Sequence, residues 1–252
     1  MIPKHTLLLV LAIGCAPKGH PLFKLLPPSQ TGVTFANTIT PDDTENLQSD
    51  YFIYNGGGVA VGDINNDGLP DILLTGNMVP SRLYLNKGGM KFQDITESSG
   101  VKPDCWATGA TMADVNNDGY LDIYISCTGP ERTPAARRAN KLYINNGNGT
   151  FTEEAARYGV ADTGFTIQAV FLDYNKDGNL DLFVMNNSPH EFARGEAEIH
   201  PAGVPTKAAG SYDQLYRNNG DGTFTNVSRE AGMLEKIGYG LGVVVCDVNG
   251  DG

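Results

Sequence analysis

One pattern of oxygen-bearing residues recurs along this chain at fixed spacing. Asp63, Asn65, Asp67 and Asp71 stand at positions 1, 3, 5 and 9 of a stretch whose sixth residue is Gly68. Asp114, Asn116, Asp118 and Asp122 repeat it around Gly119, and Asp173, Asn175, Asp177 and Asp181 repeat it around Gly178. A fourth copy opens with Asp247, Asn249 and Asp251, and the sequence stops at Gly252, short of a ninth position. Alternate oxygens on a tight loop suit a hard cation such as calcium, which takes about six to eight oxygen ligands. The glycine allows the sharp turn that brings the oxygens inward. Position 7 varies as Leu69, Tyr120 and Asn179, which suits a ligand that offers only its backbone carbonyl.

The opening D-x-N-x-D-G is shared with the EF-hand, but that loop needs a glutamate at position 12 and a helix on each side. Position 12 here is Leu74, Ile125 and Val184. The flanks, such as Val59-Ala-Val-Gly62, Ile72-Leu-Leu-Thr75 and Ile123-Tyr-Ile-Ser126, are short, apolar and rich in β-branched or aromatic residues. Each loop is therefore expected to join two strands, with the ninth-position aspartate replacing the EF-hand glutamate. The alternative is an Asx-rich hairpin turn that holds no metal.

The elements that position the loops recur too. A third strand is expected at 82–86, 141–145 and 214–218, each carrying Leu-Tyr-x-Asn. A Gly/Asn-rich turn follows, at 87–89, 146–149 and 219–222, and then a fourth strand around Phe92, Phe151 and Phe224. Four-stranded meanders at a period of about 50 residues are the signature of a β-propeller. The expected fold is all-β, an incomplete open arc of about three blades. Its divisions are an N-terminal tail at 15–50, blade 1 at 51–101, blade 2 at 102–160, blade 3 at 161–233 and the start of blade 4 at 234–252. Phe23 to Val33 resembles Phe92 to Val101, so the tail is expected to supply a ring-closing strand to a last blade that this sequence, read as a piece of a longer protein, does not contain. Aromatics before each loop, Tyr54, Trp106, Phe165 and Tyr239, are expected to pack between units. Two insertions between second and third strands, at 127–139 and 188–210, project from the face opposite the loops, where binding surfaces often sit.

The formal net charge of −11 over 252 residues argues against nucleic acid or an anionic membrane surface as partner. Residues 1–14 carry Lys4 before a short apolar run and small residues before Cys15, which reads as an export signal. Ala12-Ile13-Gly14-Cys15 resembles a bacterial lipobox with Cys15 as the lipidated residue, although Ala12 stands where that pattern usually has Leu; plain secretion is the alternative. Membrane association would then run only through a lipid anchor, at the outer membrane or cell surface. Export permits disulfides, and Cys105 and Cys127 flank the second loop in segments that should pair, so a bridge between them is permitted without being required. Cys246 is expected to be a small buried residue.

These motifs resemble the FG-GAP/VCBS repeat proteins, whose calcium loops also occur in the propeller head of integrin α subunits. The tail, the Tyr54-Asn-Gly-Gly-Gly-Val59 entry and the Leu-Tyr-x-Asn hairpins look most like the bacterial relatives of cartilage acidic protein. The resemblance covers roughly residues 22–252. It implies calcium ligands at the loop positions named above and a scaffold that binds protein or glycan at the cell surface. Two other readings stand beside it: a polysaccharide-active enzyme or its accessory domain, and a purely structural repeat. His190, Glu191, Glu196, Glu198 and His200 share one insertion, but their spacing fits no H-E-x-x-H signature, and no nucleophile elbow or phosphate loop is present. The expectation is a protein that is not an enzyme.

Overall fold

A computed structural model describes residues 22–47, 53–130, 132–187, 212–233 and 240–248. The first sheet is β1 (Val59–Gly62), β2 (Asp71–Leu74), β3 (Arg82–Asn86) and β4 (Phe92–Asp94). The second is β5 (Trp106–Ala113), β6 (Asp122–Thr128), β7 (Lys141–Asn145) and β8 (Phe151–Glu153). The third is β9 (Thr166–Leu172), β10 (Asp181–Asn186), β11 (Gln214–Asn218) and β12 (Phe224–Asn226). Every sheet is an antiparallel meander whose spatial neighbours are also sequence neighbours. The three together form an unclosed, propeller-like arrangement in which β5 lies beside both β1 and β9.

Register explains the nine-residue loop. Its last residue pairs with the residue before its first: Gly62 with Asp71, Ala113 with Asp122, and Leu172 with Asp181. The ninth aspartate is thus the first residue of a strand, and its backbone is held by the ladder.

The core lies between sheets. Side chains alternate along a strand, so Ile123 and Ile125 pack with Leu73 and Leu83 of the first sheet. Tyr124, between them, packs instead with Leu182 and Val184 of the third. The first strands approach closely where glycine leaves room: a Cβ on Gly109 would stand 2.8 Å from the Ile167 carbonyl oxygen.

Short helical turns lead each connection onward: α1 (Pro28–Thr31), α2 (Thr96–Ser99) and α3 (Ala155–Tyr158). Each ends at a glycine in the left-handed region, Gly32, Gly100 and Gly159, which a side chain would strain. These glycines face Phe92, Phe151 and Phe224 of the following sheet, so α1 lies on the first sheet as α2 lies on the second. Thr34 N–H donates to the Tyr84 hydroxyl at 3.3 Å. The repeat seen at the N-terminus is therefore built from α1 onward. Phe23, expected in a ring-closing strand, is exposed and lies outside any strand among the described residues.

Two expectations need correction. Cys246 is exposed, not buried, because residues 240–248 form no strand and no partner strand covers them among the described residues. Tyr54 is exposed as well, since among the described residues no neighbouring sheet faces it, whereas Phe165 is buried beneath the Arg138 guanidinium at 4.0 Å. Arg138 belongs to the 127–139 insertion, which folds back through a 3₁₀ turn at Ala135–Arg137. Its Nη1 donates to the Thr133 carbonyl, and its Nε donates to the Thr163 carbonyl at 3.3 Å. Arg138 is thereby buried, whereas Arg132 and Pro134 to Arg137 of the same insertion are exposed. The 188–210 insertion, Tyr239 and Cys15 lie outside the described residues. Among those that are described, no helix is long and apolar enough to cross a membrane.

Candidate metal centres

The three complete loops share one geometry. In the first, Asp63 accepts the N–H groups of Asp67 at 3.1 Å and Gly68 at 2.7 Å. The Asn65 amide donates to Asp67 at 3.0 Å, and Asp67 accepts the Leu69 N–H at 2.9 Å. Asp114, Asn116, Asp118 and Tyr120 repeat each of these bonds, as do Asp173, Asn175, Asp177 and Asn179. Position 4 takes positive φ in every copy, at Asn66, Asn117 and Lys176, and so does the glycine at position 6. Kinks of this kind on either side of position 5 let the oxygens of positions 1, 3 and 5 share one tight loop.

The ninth aspartates differ from the others. Asp71, Asp122 and Asp181 are each at most 1% exposed. One oxygen of each accepts the N–H of loop position 2: Ile64 at 3.0 Å, Val115 at 3.0 Å, Tyr174 at 3.1 Å. The other accepts the N–H of the asparagine that ends the third strand: Asn86 at 2.7 Å, Asn145 at 2.8 Å, Asn218 at 2.8 Å. Burial raises all three carboxyls above the ordinary range, Asp122 to about 6, against the pull of those N–H groups. The aspartates at positions 5 and 1 push in the same direction by repulsion. Asp177, at the loop surface, is held below the ordinary range by the N–H of Asn179 and the amide of Asn175.

The donor set fits a hard divalent cation. Every candidate side-chain donor is oxygen, and the three carboxylates of a loop are near enough to repel one another. A carboxylate has about four acceptor sites, and those described here fill only some of them. Among the described residues, no group of three or more His, Cys, Asp and Glu is assembled tightly enough to hold a metal. The loop instead mixes aspartate with the Asn65, Asn116 or Asn175 amide and a backbone carbonyl. Asp247 of the fourth copy is exposed, and Asn249 and Asp251 lie outside the described residues.

The asparagine that closes Leu-Tyr-x-Asn has a role that was not evident from its sequence position. Besides its N–H, its side chain works on the loops. Asn145 Nδ2 donates to the Leu121 carbonyl at 3.1 Å and, across the sheet boundary, to the Ile64 carbonyl at 2.8 Å. Asn218 Nδ2 does the same with Leu180 at 3.1 Å and Val115 at 3.0 Å. The signal available was recurrence: a polar residue ends the third strand in all three units.

The disulfide reported by the structure joins Cys105 to Cys127, linking the start of β5 to the end of β6.

Comparison with known proteins places this architecture. The FG-GAP-like repeat model matches residues 63–125, 133–184 and 206–252, more than half of the chain. Mouse cartilage acidic protein 1 is 28% identical over 77% of this chain and 34% of its own length. The human protein is 29% identical over 73% and 32%. Mouse integrin alpha-8 is 30% identical over 48% of this chain and 12% of its own. The chain thus spans about a third of the length of the cartilage acidic proteins it matches. A solved structure of an Agrocybe aegerita lectin that recognises non-reducing terminal N-acetylglucosamine aligns over 65% of this chain and 36% of that one, at 18% identity and a TM-score of 0.35. With the repeat model covering all three complete loops and the third- and fourth-strand hairpins that follow them, the chain belongs to the FG-GAP-like repeat family.

Proposed function

We propose that this chain is a calcium-stabilised β-propeller scaffold of integrin-α-like blades that binds a protein or glycan partner outside the cytoplasm. One observation supports the calcium reading: three loops hold the same oxygen donors in the same hydrogen-bonded geometry, each with an aspartate whose charge is disfavoured first by burial and further by repulsion from the carboxylates at positions 5 and 1. A cation among them offsets that repulsion and clamps two strands together. Asp63, Asn65, Asp67, Asp71 and the Leu69 carbonyl would hold it in the first loop, with the corresponding residues in the second and third. Export through the N-terminal segment, with Cys15 as a lipid attachment point, agrees with a site that relies on abundant extracellular calcium. The partner class follows from the family alone, and the role is binding rather than catalysis.

The test is thermal melting in chelator and in calcium. At about 100 times the dissociation constant, a single site stabilises by about 2.7 kcal/mol. Asp67→Asn and Asp118→Asn, at exposed loop positions, should each remove one site's share of that gain while leaving the metal-free melting temperature nearly unchanged. A melting temperature indifferent to calcium in the parent protein would sink the reading.

A further inference from the structure

The three buried aspartates are joined by one hydrogen-bonded path that crosses both sheet boundaries. Ile64 donates its N–H to Asp71, and the carbonyl of the same residue accepts from Asn145 Nδ2. Asn145 donates its own N–H to Asp122, whose second oxygen accepts the Val115 N–H. The Val115 carbonyl accepts from Asn218 Nδ2, and Asn218 donates its N–H to Asp181. No contact on this path is longer than 3.0 Å.

Every polar atom of the two linking amides has a partner. The Asn145 oxygen accepts the Gly147 N–H at 3.0 Å, and the Asn218 oxygen accepts the Gly220 N–H at 3.0 Å. With both N–H groups of each Nδ2 already placed on carbonyls, every donor and acceptor is satisfied. Asn145 is 3% exposed and Asn218 is 4% exposed. A buried amide placed in this way has one favourable orientation, because any movement leaves a polar group without a partner. Asn86 fills the same slot in the first sheet, but among the described residues its Nδ2 bonds only the Pro70 carbonyl of its own loop, at 2.8 Å.

A second contact runs in parallel along the exposed rim. Asn66 Nδ2 donates to the Gly119 carbonyl at 2.9 Å, and Asn117 Nδ2 reaches the Asn179 side-chain oxygen at 3.4 Å. Position 4 of one loop therefore touches position 6 or 7 of the next.

We propose that Asn145 and Asn218 are positioning residues that couple adjacent loops, so that an ion seated in one loop raises the affinity of the next. Loop position 2 is the transmitting element. Its N–H reports the placement of its own buried aspartate, and its carbonyl fixes the asparagine that holds the following one. Such coupling is reciprocal. The ion half of this inference rests on the calcium reading, and the hydrogen-bonded half does not.

Two measurements separate them. In chelator, hydrogen exchange of Asn145→Ala should accelerate at residues 63–71, in the neighbouring sheet, by about fivefold, the lower end of ordinary site-to-site coupling. Asn218→Ala should do the same at 114–122, so that a folding failure in one variant leaves the other informative. Asn86→Ala serves as the reference and should act on its own loop alone. Acceleration confined to the loop of the substituted sheet overturns the proposal. The second measurement is a calcium titration. Asp177→Asn should weaken binding at the remaining loops by about fivefold in the parent protein and leave it unchanged when Asn218 is already alanine. A merely structural asparagine would lower the melting temperature without creating that difference. Calcium binding with no difference between the two backgrounds refutes coupling of the ion sites whatever the exchange shows. No calcium binding at all refutes the calcium reading, and with it the ion half of the proposal, and the exchange result then decides whether the loops themselves are coupled.

Discussion

The first sheet and the third carry the same motifs, and they differ in what stands against their first strand. Val61, two residues before the loop aspartate, is 61% exposed. Phe171, at the same position in the third sheet, packs edge-on against Tyr124 with ring centroids 6.1 Å apart and joins the core shared with the second sheet. Met112, the counterpart in the second sheet, packs into the core shared with the first. The residue at this position is apolar in all three sheets, so the difference lies in the neighbour. A four-stranded unit of this kind does not bury its own apolar face; the sheet beside it does. The leading face of the first sheet is covered only in part, by α1 and the residues after it, where Tyr84 is fully buried against the tail.

The strongest way to break this comparison is to truncate both positions. Phe171→Ala should destabilise by about 3 kcal/mol, the low end for a buried phenylalanine, since Phe171 is only partly covered. Val61→Ala should change stability by less than about 0.5 kcal/mol, as expected at an exposed site. Denaturant midpoints at constant slope measure both. Equal losses would mean that the first sheet is supported independently of a neighbour.

A second contrast concerns the far end of the same hairpins. The second sheet closes it with the Cys105–Cys127 bridge. The third sheet has Gly164 and Asn186 at the corresponding positions, packed so closely that a Cβ on Gly164 would lie 2.6 Å from the Asn186 side chain. Asn186 is held there by Thr166 Oγ1 at 2.8 Å, by Asp162 at 3.2 Å and by the Tyr212 carbonyl at 2.9 Å. A covalent link and a buried hydrogen-bonded network thus do the same work in neighbouring sheets. Replacing both cysteines by serine should cost about 2 kcal/mol, toward the lower end for a short closed loop. The same loss should follow from reduction of the parent protein, and it should be absent when the serine variant is reduced.

Much of this was legible because repetition exposes it. All three third strands, at 82–86, 141–145 and 214–218, begin and end where Leu-Tyr-x-Asn predicted. The loops were found from alternate oxygens alone, since a turn with fixed φ signs needs Asn, Asp and Gly at fixed offsets. What the sequence hid was tertiary. Asn145 and Asn218 looked like strand ends, and nothing local says that their side chains reach a carbonyl in the previous unit. Nothing local to Arg138, in a Pro-rich insertion, announces its burial, which comes from the approach of Phe165 and the Thr163 carbonyl. Cys246 was misread because its slot is held by Gly62, Ala113 and Leu172 in the other units, where a paired second strand covers it fully or in part.

The smallest effect distinguishes the three sheets at one equivalent position. The residue before each third strand accepts the N–H at the end of the second: Ser81 from Gly76 at 3.1 Å, Asn140 from Cys127 at 2.7 Å, Asp213 from Asn186 at 2.8 Å. Two of these acceptors are neutral and one can carry charge. Burial raises the Asp213 carboxyl above its ordinary value of 3.8, and the Asn186 N–H only partly offsets that. The folded protein therefore keeps this proton to a higher pH than the unfolded chain does. Its contribution to stability is complete below 3.8 and declines as pH rises toward the folded value. Asp213→Asn keeps the accepting oxygen and removes the titration, making the third sheet like the second. The difference in unfolding free energy between parent and variant should shift in favour of the variant as pH rises through that window, then stay level. Taking the difference cancels the loop aspartates, which titrate alike in both proteins. A difference that is flat across the window would show that the Asn186 N–H balances burial at this position, and one that moves toward the parent that it outweighs burial; either would mean that a charge is as well tolerated there as the amide of Asn140.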